Sequence, residues 1–175
     1  MRLGAIAILF LPAVTLMTAQ QADQPSLDKR IAGYRSWSLV GHRKNHMAPQ
    51  IAVLCVQWPK YSLENPHIPR YFSVFVNNVG KATMLEERKG TFPAGTVIVK
   101  EKFAGADSKH PELLTVMVKH AKGFDTAHDD WEYEALDGDG CTIKGVTVEH
   151  CQNCHQDKSL TDHVYRDYAN KRVWK

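Results

Sequence analysis

The stretch "EHCQNCHQDK", from Glu149 to Lys158, sets two thiols and an imidazole side by side, and only the segment Gln156–Lys175 follows the imidazole of His155. Whatever Cys151, Cys154 and His155 hold is therefore expected to be enclosed mostly by the chain that precedes them. That preceding chain has to build a cavity wall, and its residues are those of a sheet. "IAVLCVQW", "YFSVFV", "GTVIVKEKF", "LLTVMVKH" and "DWEYEAL" are rich in β-branched and aromatic side chains and are bounded by Pro, Gly, Asn and Asp, the pattern of successive strands.

In "DWEYEAL" Trp131, Tyr133 and Ala135 alternate with Glu132 and Glu134, as in a sheet with one wet face, and such sheets are usually antiparallel. "PSLDKRIAGYRSWSLV" predicts a helix opening near Ser26, with Leu27, Ile31 and Tyr34 on one buried face. The polar "GHRKNHMAPQ" after it reads as a loop. "KATMLEERKG" predicts a short helix or turn between strands, and "SLTDHVYRDYA" a closing helix capped by Ser159. The expected fold class is α+β: a mainly antiparallel β-sheet with an N-terminal helix, a short helix between strands, and a C-terminal Cys/His motif and helix.

The length of 175 residues suits one domain with its own core. The charge, 22 Lys and Arg against 19 Asp and Glu, is +3 and scattered rather than gathered into a phosphate-tracking stripe, which argues against nucleic acid as a partner. "MRLGAIAILFLPAVTLMTAQ" sets one Arg before an apolar run from Leu3 to Met17, the layout of a signal peptide over residues 1–19, with an uncleaved anchor as the alternative because Met17 stands where a small residue is preferred. Residues 20–175 are then a single domain, expected to be exported to the periplasm and to carry whatever Cys151, Cys154 and His155 bind. There the cysteines meet an oxidising environment.

Cys151, Cys154 and His155 form C-x-x-C-H, the attachment signature of c-type haem. Two residues between the thiols let both sulfurs bond the vinyl groups of one porphyrin edge, and the adjacent imidazole becomes the proximal iron ligand. A structural disulfide, a redox C-x-x-C and a zinc site using Cys141, Cys151, Cys154 and a histidine compete with this reading. Zinc wants two spaced ligand pairs, and a redox motif wants the start of a helix in a βαβ unit. Cys55 and Cys141 are left over, and an exported leftover pair is expected to be bonded or close.

The sixth iron position decides between carrying electrons and binding a small molecule. No Met follows Met117, and His163 lies too near the motif to reach the opposite side of the ring. Met47, Met84, Met117 and several histidines are the upstream candidates; otherwise the distal side is open.

With these residues assembled, the chain resembles the cytochrome P-460 and cytochrome c′-beta family. The likeness runs through "YRSW", "FVNNVGKATM", "FPAGTVIVKEKF", "DWEYEAL" and "CQNCHQDKSLTDHVY", in that order. It implies a mainly antiparallel β fold that usually forms a homodimer, and a single covalently attached haem c, five-coordinate through His155. In the hydroxylamine-oxidising members it further implies a lysine bonded to the porphyrin, here Lys100, in an enzyme that converts hydroxylamine to nitrous oxide and passes electrons to an external acceptor. Those members carry a distal carboxylate where this chain has Thr115, with Glu112 nearby but out of register and His120 as another weak base. The c′-beta members cap the iron with phenylalanines, for which Phe72, Phe75 and Phe92 are the candidates, and bind nitric oxide or carbon monoxide. A low-spin electron carrier is the third reading.

Strand alternation places Lys100 with Thr96, Ile98 and Lys102, and Val97, Val99 and Glu101 on the other side. A lysine with an apolar stem in the core and its amine at a cavity would have its charged form disfavoured, which suits attack on an oxidised porphyrin. Lys100 is thus expected to point into the haem pocket.

Overall fold

The computed structural model describes residues 27–47, 71–87, 90–143 and 148–169. The expected leader over residues 1–19, the strand "IAVLCVQW" and Cys55 within it lie outside the described residues. The elements are α1 (Leu27–Arg30), β1 (Ser38–His46), β2 (Tyr71–Val76), α2 (Lys81–Leu85), β3 (Val97–Phe103), β4 (Leu113–Lys119), β5 (Trp131–Asp137) and α3 (Glu149–Gln156). The strands form one antiparallel sheet in the order β1-β2-β3-β4-β5, each beside its neighbour in sequence. The class is α+β, as expected.

Register fixes what each face carries. Val76, Ile98, Met117 and Tyr133 stand in one row across β2 to β5, and Val74, Lys100, Thr115 and Ala135 in the next. This face packs Val40, Phe72, Val74, Val76, Ile98, Met117, Trp131 and Tyr133 into one cluster with Met47, Met84, Phe92, Val164 and Ala169. Cys151 of α3 packs against it. Each such side chain, once removed from water, contributes about 1.5–3 kcal/mol.

The opposite face is drier than the alternation in β5 suggests. Phe75, Val97, Val99, Leu114, Val116, Val118 and Leu136 pack there with Ile31 and Tyr34. Along strand β5 half-buried Glu132 and Glu134 give this face a polar margin, and at the β1 side the exposed Arg43 guanidinium lies over the Phe75 ring. Glu101, buried in the same layer, is satisfied by the Tyr34 hydroxyl at 2.8 Å and by Arg35 Nε at 2.7 Å.

Three expectations are corrected. The N-terminal helix stops at Arg30 and is followed by a 3-10 turn, Tyr34–Ser36, because Gly33 adopts a left-handed φ of 72°. The polar stretch after it is strand rather than loop as far as His46: β1 is at the edge among the described strands, so exposed and half-exposed polar side chains are tolerated, and its register with β2 shifts between Val40 and Asn45. Gly41 makes that irregularity possible, with φ 73° and a Cα so close to the Tyr168 carbonyl that a Cβ would collide with it. The closing helix at Ser159 is a single 3-10 turn, Ser159–Thr161, ended by Asp162 and His163 with φ of 53° and 61°. Two consecutive left-handed residues cannot continue a helix.

Candidate haem-binding site

Helix α3 carries Cys151, Cys154 and His155 at offsets of three and four residues, which puts all three on neighbouring parts of one helix surface. Both cysteines are half-buried, and no disulfide joins them. The His155 ring lies edge-on between two tyrosines, its centre 5.3 Å from that of Tyr133 on β5 and 5.1 Å from that of Tyr165. The Tyr165 hydroxyl donates to the Cys154 carbonyl at 2.9 Å and lies 3.4 Å from its sulfur.

The protonation of His155 follows from its contacts. Its Nδ1 is 2.6 Å from the His163 carbonyl, which can only accept, so Nδ1 carries the proton and Nε2 keeps its lone pair. Burial pushes the ring's pKa down to about 4; the His163 carbonyl opposes this, while the charges of Lys100, His163 and Lys102 reinforce it. A neutral imidazole with Nε2 available is the form a metal requires. Two cysteines three residues apart on one helix and not bonded to each other, together with this imidazole, fit a c-type haem.

Lys100 lies on the same sheet face as Ile98 and Lys102, as the alternation predicts, and its Nζ is 4.6 Å from the centre of the Phe72 ring. Thr115 stands directly across from it on β4. Glu112 precedes the pair Leu113 and Lys102 and is out of register with Lys100. His120 is paired with Glu132 at 2.5 Å and stacked on Phe124 at 3.8 Å between ring centres. No carboxylate shares the row of Lys100.

Of the three phenylalanines, Phe75 is ruled out as a cap: it points to the opposite face and meets Tyr34 edge-on at 5.6 Å. Phe92 is buried against Trp131 at 5.6 Å, under the Arg166 guanidinium at 4.6 Å. Phe72, beside Lys100, is the one that shares its surroundings. Met47, Met84 and Met117 are all buried in the cluster on this face. Cys141 is exposed, and the partner expected for it, Cys55, lies outside the described residues.

His163 serves a role its position in sequence concealed. Its Nδ1 donates to the His155 carbonyl at 3.1 Å and its Nε2 meets the Asp129 carboxylate at 2.6 Å. Tyr133, Tyr165 and Asp129 are likewise neighbours that the motif does not announce. For Tyr133 the signal was present in the inward alternation of "DWEYEAL"; for Asp129 there was none. A separate cleft of about 640 Å³ is lined by Phe92, Lys119, His120, Asp129 and Asp162, and includes none of Lys100, Cys151, Cys154 and His155.

Comparison with known proteins adds one finding. The family model described as Cytochrome P460 matches residues 31–166, from Ile31 beside the sheet to Arg166 beyond the motif. No curated protein matches the chain.

Proposed function

The chain belongs to the cytochrome P460 family and is a c-type haem cytochrome, and from that premise we propose that it is a periplasmic mono-haem protein that oxidises hydroxylamine to nitrous oxide. Cys151 and Cys154 would hold the porphyrin through thioethers, and His155 would ligate the iron through Nε2. The observation that carries the oxidase reading is the position of Lys100, on the sheet face against which Cys151 of α3 packs, with its Nζ 4.6 Å from the centre of the Phe72 ring. From there its amine can meet the porphyrin edge, as in the family members with a lysine cross-link.

Bound haem supplies the redox couple and an open coordination position. The chain supplies the rest. Tyr133 and Tyr165 keep water from the proximal ring. Turnover releases protons and electrons in equal number, and the Thr115 hydroxyl across from Lys100 can hand a proton on but cannot keep one. The electrons require an external acceptor, and a homodimer is the assembly the family resemblance suggests.

A second reading is a binder of nitric oxide or carbon monoxide. It is favoured by Thr115 in place of a carboxylate and by Phe72 beside Lys100. Replacing Lys100 by Leu separates the two. The oxidase reading predicts that the Soret band of the ferrous protein shifts to shorter wavelength and that hydroxylamine turnover is lost; if neither changes, the gas-binding reading takes its place.

A further inference from the structure

His155 and His163 are joined at two points. The His155 ring donates to the His163 carbonyl at 2.6 Å, and the His163 ring donates back to the His155 carbonyl at 3.1 Å. His163 is buried, and the far side of its ring is held by Asp129, whose own side chain is mostly exposed. The His163 backbone is in the left-handed region, directly after Asp162 in the same region. Such a pair persists only where its surroundings hold it. Lys119 at 2.8 Å and the Phe92 amide at 2.7 Å fix the Asp162 carboxylate, and Trp131 Nε1 fixes its carbonyl at 3.0 Å. Asp162 is thus anchored by β4 and β5, whereas His163 is anchored by its backbone N–H, which donates to the Lys158 carbonyl at 2.9 Å, and by its ring.

We infer that Asp129 and His163 are positioning residues for the proximal ligand: the Asp129 carboxylate orients the His163 ring, and the ring holds the carbonyl that accepts from His155 Nδ1. The inference rests on His155 ligating haem iron, as proposed above. A firm acceptor at Nδ1 makes Nε2 a stronger donor to the metal, which favours the ferric state. Releasing the ring lengthens the Nδ1 contact and weakens that donation.

The test compares Asp129→Gly with Asp129→Asn in the haem-loaded protein. Both remove the negative charge, and both residues accept the left-handed φ of 49° found at this position. Only Asn keeps an oxygen for His163 Nε2. The expected result is a lower iron–histidine stretching frequency and a raised reduction potential for Asp129→Gly, with Asp129→Asn close to the wild type in both. Unchanged values for Asp129→Gly, or equal shifts in the two variants, would overturn the role. His163→Phe, which keeps ring bulk without donors, should reproduce the Asp129→Gly shifts; if Asp129→Gly does not fold, the absence of a shift in His163→Phe refutes the role instead. Covalent haem is measured first in every sample. Its absence from the wild type refutes the underlying ligation, whereas haem-bearing variants that fail to separate refute only the positioning.

Discussion

Lys119 and Asp162 meet at 2.8 Å with both side chains buried, tying the end of β4 to the turn that follows the haem motif. The Lys119 ammonium also donates to the Asp129 carbonyl at 2.6 Å and lies 5.0 Å from the centre of the Trp131 ring. Two segments of the proximal side, Asp129–Asp130 and Asp162–His163, are therefore held by one cation from the sheet. All four residues have left-handed backbones. The sheet is the rigid part, and the proximal turn takes its shape from it.

Replacing Lys119 by Met leaves the Asp162 carboxylate buried without its counter-charge. Breaking such a pair costs about 3–5 kcal/mol. Urea denaturation should report a loss of that size, and a loss below about 1 kcal/mol, the value of an exposed pair, would show that water reaches the site.

Gly41→Ala should destabilise the edge of the sheet. The left-handed φ of 73° costs an alanine about 1–2 kcal/mol, and the collision of its Cβ with the Tyr168 carbonyl adds to that. Thermal unfolding of the variant reads the sum, and an unchanged midpoint would mean that β1 does not depend on this bulge.

Glu132 links stability to pH. Burial pushes its carboxyl up, but Arg30 at 2.9 Å and His120 at 2.5 Å together hold it below its ordinary 4.5. The folded state thus prefers the ionised form, so the stabilisation is fully present above 4.5 and is lost as the pH falls through the lower folded value. Glu132→Gln should flatten the fall in unfolding free energy on acidification. Parallel curves for wild type and variant would assign the acid sensitivity to another group.

Much of the sheet was legible because β2 to β5 bury apolar rows on both faces, and the alternation through Ile98, Lys100 and Lys102 set the side on which Lys100 lies. Strand β1 was not, since polar His42, Arg43 and Asn45 become strand only by pairing with β2 beyond a bulge. The closing segment read as a helix because Ser159 is a good cap and its neighbours are helix-compatible; the contacts that turn Asp162 and His163 left-handed come from Lys119 and Trp131, which no local pattern contains. At the site, C-x-x-C-H was legible from spacing alone. The acceptor of His155 Nδ1 was not, because it is a backbone carbonyl and leaves no signature in residue identity.

The central claim is that haem is bonded to this chain through Cys151 and Cys154, and the most direct measurement is the intact mass of the denatured protein after extraction with acid and organic solvent. The account predicts a chain carrying the mass of one haem, and the loss of that adduct when both cysteines are replaced by serine. A chain of unmodified mass, with the haem recovered in the organic phase, would contradict it.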